Sequence, residues 1–293
     1  MPRRKALKAL ASLFSVGFLA ILFSLPAVTG PPAPLLDCPS YVLMDPDTGR
    51  VIYGRHIETT RAPASTTKIM TALLAVENAD LDSIVTVTSR ATWESGSRLG
   101  LEAGEQVPLG DLCYAMMVRS GNDAAVAVGE YIDGNVDKFI ERMNRRAAEL
   151  GMNDTHFSNP NGLPDDTHVS TAFDLALLAR EAMKHDEIRQ WVKATKVDFP
   201  VFGNRTDVKF ESTNHLLEQF PLANGIKTGY TNAAGFCLVS SATYRDKTLI
   251  AVVLGCERDR QWPQTIDLFD YGFSLYDSDY ASYREVYDRG ALY

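Results

Sequence analysis

The sequence predicts a mixed α/β protein of the α+β kind, in which one antiparallel sheet built from N- and C-terminal segments carries an inserted helical subdomain. Three observations predict it. Strand-and-turn chemistry opens the chain after residue 37, and helical periodicity runs from Pro63 to about His185. Beyond Val197 the β pattern returns and continues almost to the end. A chain whose two ends supply strands and whose middle supplies helices has a natural cleft at the seam between the halves.

Taken in order, Ser40 to Met44, the turn Asp45-Pro-Asp-Thr-Gly49 and Arg50 to Tyr53 read as a hairpin. Ile69, Met70, Leu73, Leu74 and Val76 then leave almost no polar face, the pattern of a buried central helix. Val85 to Val107 is irregular, with short β-like pieces. Leu112 to Val118 is helical and breaks at Ser120-Gly121-Asn122, and a second helix runs from Asp123 to about Ile132. Val136 to Leu150 is an amphipathic helix stopped by Gly151. Ser158 to Pro164 is dense in turn residues, and a helix from Thr171 to about Met183 is capped by Ser170 or Thr171. Gly225 to Gly229 leads into a strand from Gly235 to Thr243. Asp246-Lys247 turns the chain, Leu249 to Gly255 returns as an apolar strand, and Trp262 to Tyr276 closes as a helix on the sheet. The domain reading is thus a leader at 1–30, one domain over 37–276 and a surface tail at 277–293.

Arg3, Arg4, Lys5 and Lys8 precede an apolar run from Ala9 to Leu25, with no acid before Asp37. This is the order of an export signal, and the run reaches the lower limit of about 17 residues for a membrane span. Removal of the leader and its retention as an N-terminal anchor are both open. Without those cations the remainder is more acidic than the whole-chain −8, which argues against nucleic acid as a partner and suits an extracytoplasmic protein. Cys38, Cys113, Cys237 and Cys256 form no Cys-x-x-Cys or Cys/His cluster, and the five His residues form no metal-binding motif, so neither metal nor cofactor is expected. Cys113 reads as a buried apolar residue, and Cys38 meets Cys256 if the first and last strands pair.

The chemistry concentrates at Pro63-Ala64-Ser65-Thr66-Thr67-Lys68, directly before the central helix. Residues at i and i+3 share a helix face, so the Lys68 amine reaches the Ser65 hydroxyl. A helix N-terminus also favours developing negative charge. By itself the pair is common, and a Ser ahead of an apolar run is most often an N-cap. A serine nucleophile needs a base, and lowering a lysine from about 10.4 to about 8 requires disfavouring its ammonium by about 3 kcal/mol. Burial at the cleft floor would supply part of that pressure, and a second cation brought to the same floor would supply the rest.

Ser65-x-x-Lys68, Ser120-Gly121-Asn122 and Lys227-Thr228-Gly229, in that order, resemble the three-motif signature of penicillin-recognising serine hydrolases. The stretches Ser-Gly-Asn-Asp-Ala-Ala from Ser120, Ser-Asn-Pro-Asn-Gly-Leu-Pro from Ser158, Ser-Thr-Ala-Phe-Asp-Leu-Ala from Ser170 and Gly-Ile-Lys-Thr-Gly-Tyr-Thr from Gly225 are similar to the low-molecular-weight D-alanyl-D-alanine carboxypeptidases of the S11 peptidase family. That likeness runs from about Cys38 to about Tyr276 and implies a β-lactamase/transpeptidase-like fold. It implies that Ser65 forms an acyl-enzyme with release of D-Ala, that Lys68 is its base and that Ser120 relays a proton to the leaving amine. Asn122 then holds Lys68 and the substrate backbone, and Lys227 and Thr228 meet the terminal carboxylate. Gly229 admits substrate along the strand edge, and the backbone N–H groups of Ser65 and Tyr230 form the oxyanion hole. The implied partners are peptidoglycan stem peptides ending in D-Ala-D-Ala and β-lactam inhibitors.

Related activities share these motifs. A class A β-lactamase needs a Glu before the last motif, and Asn159 to Ser170 carries only Asp165 and Asp166, expected to be turn acids like Asp45 and Asp47. A D,D-endopeptidase uses the same residues, and a penicillin-binding sensor would acylate and stall. Glu102 and Glu105 are expected at the cleft entrance, and Arg142, Arg145 and Arg146 on a solvated helix face. Some relatives carry an Arg ahead of the Asn-x-Leu-Leu stretch where this chain has Thr213, which leaves carboxylate recognition to Lys227 and Thr228.

Overall fold

The computed structural model describes residues 31–290, so the expected leader lies outside the described residues. The opening hairpin is β1 (Ser40–Met44) and β2 (Val51–Arg55). A 3-10 turn, Ala64–Thr67, runs into α1 (Lys68–Asn78), the buried central helix. Next come β3 (Ile84–Thr86), β4 (Gln106–Pro108), α2 (Leu109–Arg119), α3 (Asn122–Asp133) and α4 (Val136–Glu149). The chain continues with α5 (Ala172–Ala182), α6 (Asp186–Lys193), β5 (Lys196–Phe202), β6 (Arg205–Glu211) and the short α7 (Leu216–Gln219). It closes with β7 (Ala223–Thr231), β8 (Gly235–Tyr244), β9 (Lys247–Cys256), α8 (Gln261–Tyr276) and α9 (Tyr280–Gly290).

Strands from both ends form one antiparallel sheet in the order β2-β1-β9-β8-β7. Val42 on β1 lies opposite Val252 on β9, which sets the register of the first strand against the last. Side chains alternate between faces along a strand, and here both faces are covered. Val42, Met44, Ile250 and Val252 enter the core shared with α1 and α5. Leu43, Leu249, Ala251 and Val253 enter the core shared with Leu268, Phe269 and Phe273 of α8. Two-sided burial explains why β9 reads as an almost unbroken apolar run instead of an alternating one.

Two readings are corrected by the packing. The tail expected to be a surface end is anchored at its start, because Tyr280 is buried and its ring lies 4.8 Å from Tyr244 and 5.3 Å from Phe273. Of the arginine face of α4 expected to be solvated, Arg145 is exposed, whereas Arg142 and Arg146 tie helices together. Arg146 pairs with Glu77 of α1 and Glu181 of α5, and Arg142 with Asp133 of α3. Among the described residues no helix is long and apolar enough to cross a membrane.

The pairing of β1 with β9 brings Cys38 and Cys256 to a Cα separation of 4.5 Å, where they are disulfide-bonded across 218 residues of sequence. Cys113 and Cys237 are buried and free. A cross-link closing so long a loop mainly restricts the unfolded chain. The Cys38→Ser/Cys256→Ser variant should therefore unfold at lower denaturant, losing about 3 kcal/mol while keeping its native circular dichroism.

Candidate active site

Ser65 sits within the 3-10 turn and Lys68 is the first residue of α1. In 3-10 geometry residues i and i+3 eclipse, which stacks the two side chains and places Lys68 Nζ 3.0 Å from Ser65 Oγ. The turn is tightened from within, as Thr66 Oγ1 donates to Pro63 O at 2.7 Å and Thr67 Oγ1 to Ala64 O at 2.8 Å. Ala64 itself has φ of +50°, a costly conformation for a residue with a side chain. The Asn-Pro-Asn-Gly turn presses against it from below. At Gly162 (φ +85°) an added Cβ would fall 1.9 Å from Ala64 O, so only glycine fits.

Lys68 is fully buried, and its two shortest contacts come from segments remote in sequence. Nζ lies 2.6 Å from Asn122 Oδ1 and 2.6 Å from the Asn161 carbonyl oxygen. Asn122 is presented by the break between α2 and α3, where Ser120 adopts a left-handed conformation (φ +68°) that ends α2. The Asn122 amide donates to Ser95 O at 2.6 Å. The Asp123 carboxylate accepts from Leu99, Gly100 and Leu101 N–H groups and so fixes the loop opposite.

The third motif lies on β7, the open edge of the sheet. An added Cβ at Gly229 would fall 3.1 Å from Ser65 N and 3.0 Å from Pro63 O, so the strand backbone runs directly against the nucleophile's turn. Lys227 is buried beside it, and Thr228 Oγ1 lies 2.7 Å from Thr213 Oγ1. Ser65, Ser120, Thr213, Thr228, Gly229 and Tyr230 line one cavity of about 480 Å³. A larger cavity of about 720 Å³ lies against α6, with Arg189, Lys193, Thr243 and Thr248 in its wall, but it holds none of the three motifs. Chemistry, not size, selects the site.

Burial forces Lys68 well below the ordinary lysine range. Repulsion from Lys227 adds to this, and Asp123 and Glu94 oppose it. Burial alone holds Lys227 down, to about 7. A neutral amine has two hydrogens and one lone pair. In the neutral form that burial favours, the two carbonyl oxygens, which can only accept, would take both hydrogens and leave the lone pair for the Ser65 hydroxyl. The arrangement can therefore draw a proton from Ser65. Among the described residues no group of three or more His, Cys, Asp or Glu side chains is placed to hold a metal ion.

The model of the D-alanyl-D-alanine carboxypeptidase family, peptidase S11, matches residues 27–258. The chain belongs to that family. It is 38% identical to D-alanyl-D-alanine carboxypeptidase DacF of Bacillus subtilis over 82% of this chain and 63% of that protein. DacB2 of Mycobacterium tuberculosis, also a D-alanyl-D-alanine carboxypeptidase, is 33% identical over 83% of this chain and 85% of its own. The solved structure of the Streptomyces K15 DD-transpeptidase superposes with a TM-score of 0.79 at 31% identity, covering 83% of this chain and 100% of that one. The chain thus spans a little under two thirds of DacF and nearly the whole of the smaller relatives.

Within the family frame, all three predicted motifs converge and several partners go beyond them. The Asn161 carbonyl escaped sequence reading because any residue type offers one; only the turn-rich stretch around it was a signal. His168, read as one of five scattered histidines, is buried with Nδ1 accepting from Ser158 N at 2.9 Å. Its proton therefore resides on Nε2, which donates to Thr67 Oγ1 at 2.8 Å, and Thr67 in turn donates to Ala64 O. Glu105 is not at the cleft entrance as expected. It is buried, accepts from Glu102 N at 3.0 Å and pairs with Arg205 at the tip of the β5–β6 hairpin. Asp165 is the turn acid expected, accepting from Thr167 N at 2.9 Å.

Burial lowers His168 to about 4, so the folded protein keeps it neutral where the unfolded chain, near 6.5, binds a proton. Its contribution to stability is thus complete above about pH 6.5 and is lost as pH falls toward 4, by on the order of 3 kcal/mol. In urea titrations at pH 7 and pH 4.5, the loss of stability on acidification should be markedly smaller for His168→Gln than for the parent.

Proposed function

We propose that the chain is a serine-type D-Ala-D-Ala carboxypeptidase acting on peptidoglycan stem peptides. The observation that carries this reading is the placement of Lys68, a buried amine whose Nζ lies 3.0 Å from Ser65 Oγ and 2.6 Å from each of two carbonyl oxygens.

In this reading Ser65 Oγ attacks the penultimate carbonyl carbon and passes its proton to Lys68 Nζ as the Oγ–C bond forms. The oxyanion is met by the backbone N–H groups of Ser65 and Tyr230. Losing one such donor typically costs about 3 kcal/mol of barrier. The C–N bond to the terminal D-Ala then breaks, and the proton returns through Ser120 to the leaving amine. Water attacks the acyl carbon in the second half, Lys68 again taking the proton and returning it to Ser65 Oγ as the C–Oγ bond breaks and the shortened peptide leaves as its acid. Asn122 holds Lys68 and the substrate backbone, Gly229 lets that backbone lie along β7, and Lys227 with Thr228 receives the terminal carboxylate. Thr213, hydrogen-bonded to Thr228, stands where some relatives have an Arg. β-Lactams, whose strained amide mimics the D-Ala-D-Ala bond, acylate Ser65.

The reading extends to location. The cationic and apolar order of residues 3–25 and the Cys38–Cys256 disulfide both suit an exported protein on the outer side of the cytoplasmic membrane, its leader serving as signal or anchor.

The test is release of free D-Ala from a D-Ala-D-Ala peptide, with labelled penicillin in parallel. The parent should release D-Ala and take the label. Ser65→Ala should do neither, and Lys68→Ala should lose roughly 10³-fold in acylation rate. Label without release would mean a sensor, and rapid penicillin hydrolysis without D-Ala a β-lactamase. Cleavage confined to cross-linked muropeptides would mean an endopeptidase.

A second prediction concerns pH. Lys227 binds carboxylate as an ammonium, and burial sets its loss of charge near pH 7 in the free enzyme. kcat/KM should therefore fall above about pH 7, by up to about tenfold per pH unit. In Lys227→Arg, whose cation persists, the fall should move to higher pH, visible chiefly in KM.

A further inference from the structure

The three motifs supply the site with two buried lysines, hydroxyls and amides, but no acid. The structure adds two that belong to none of them, Asp123 and Glu94. Glu94 follows the 3-10 turn Ala91–Trp93, on the segment between β3 and β4. Its carboxylate Oε2 accepts a hydrogen bond from Asn161 Nδ2 at 2.8 Å. Asn161 is the buried residue whose carbonyl oxygen lies 2.6 Å from Lys68 Nζ, and its own Oδ1 accepts from Leu163 N at 3.0 Å. Every polar group of the Asn161 side chain is thus used, and one residue separates the Glu94 carboxylate from the Lys68 amine.

Glu94 is also held in place from behind. Arg98 Nη1 donates to Thr92 O at 3.1 Å and closes the turn. Asn122 N donates to Ser97 O at 2.7 Å, Asn122 Nδ2 to Ser95 O at 2.6 Å, and Ser97 Oγ to Arg119 O at 2.9 Å. Residues 95–97 are therefore stitched to the Ser120–Asn122 turn, and the Glu94 backbone moves only if that turn moves.

We propose that Glu94 is a positioning residue for Lys68, orienting through Asn161 the carbonyl that receives the amine and favouring with its own charge the ammonium that Lys68 becomes on taking the Ser65 proton. The inference rests on the reading of Lys68 as the general base. That base has two demands on it: to lose its proton in the free enzyme, and to hold the proton taken from Ser65. Burial and Lys227 on β7 serve the first demand, and nearby negative charge serves the second. The charged and titratable groups acting on Lys68 are Lys227, Asp123 on α3, Glu94 and, across the Thr67 contact, His168. Asp123 spends its carboxylate on the N–H groups of Leu99, Gly100, Leu101 and Ala124. Glu94, half-exposed at the wall, is the acid whose carboxylate is linked to Lys68 through a single residue.

The substitutions E94Q and E94A separate the two effects, because glutamine keeps an acceptor for Asn161 without the charge and alanine removes both. The Lys68 titration is read directly from its side-chain ¹³Cε shift in ¹³C-lysine protein, assigned by loss of the signal in Lys68→Arg. The pH dependence of kcat/KM for D-Ala release is read in parallel. In E94Q the Lys68 titration should move down by roughly one pH unit. The acid limb of kcat/KM should follow it, and the plateau kcat should fall about threefold as the base weakens. E94D, which keeps the charge, should stay near the parent, and E94A should lose more activity than E94Q. A Lys68 titration in E94Q that superimposes on the parent's overturns the proposal, whatever the activity. If the titration moves while the acid limb stays, the coupling of Glu94 to Lys68 stands and the reading of Lys68 as base falls.

Discussion

The structure depends on a lysine amine buried away from the surface. An ammonium moved into the protein interior loses several kcal/mol of hydration, and an ion partner returns only part of that. Among the described residues Lys68 has no direct ion partner; it has a hydroxyl and two carbonyl oxygens, ligands that suit a neutral amine as well as a charged one. Burial, aided by repulsion from Lys227, therefore favours its neutral, proton-accepting form. That requires every wall of the site to stay closed, including the start of α3, the 159–163 turn and the edge of β7. Each wall is anchored by contacts that never touch Ser65, such as Asp123 on the 99–101 backbone and Thr71 Oγ1 on Pro160 O at 2.6 Å.

The sheet supplies what such a site cannot supply for itself, which is a fixed edge. β7 is flanked by β8 on one side only, and an unpaired edge is ordinarily a liability toward other chains. Here that edge abuts the nucleophile's turn, and Gly229 keeps its backbone bare where Ser65 N approaches. On the proposed reading the liability becomes the binding device, with an extended peptide adding itself as a further strand. Rigidity of that edge comes from the far side of the sheet, where β1 and β9 pair, both faces are covered and Cys38 is bonded to Cys256.

What could be read from the sequence was whatever depends on side-chain identity at short spacing. Ser65 and Lys68 three residues apart, the Ser-Gly-Asn break and the Lys-Thr-Gly strand entry all announce themselves, and so does the hairpin at Asp45 to Gly49. What escaped acts through the backbone or through long-range placement. Asn161 contributes a carbonyl. His168 contributes a tautomer fixed by Ser158 N, and Glu94 matters because residues 95–97 are pinned to a turn some 25 residues on. Arg146 looked solvated because its acids lie 69 and 35 residues away. The β5–β6 hairpin carries β pattern yet stands apart from the main sheet, and α6, between α5 and that hairpin, is too short to declare itself.

One difference from expectation bears on how the nucleophile works. The sequence places Ser65 at the mouth of an α-helix, where the macrodipole would favour negative charge. The structure instead sets it in a 3-10 turn after a left-handed Ala64, with α1 beginning only at Lys68. Help from the dipole decays within the first turn of a helix, so a serine ahead of α1 gains less from it than one inside. What it gains is aim. Eclipsed 3-10 spacing stacks Ser65 on Lys68, and the chain from His168 through Thr67 to the Ala64 carbonyl holds the strained residue in place. Gly162 closes against that same carbonyl, so the turn has no room to relax. Strain at Ala64 thus buys orientation, and on the proposed reading the electrostatic help a helix end would have given is left to the backbone N–H groups of Ser65 and Tyr230.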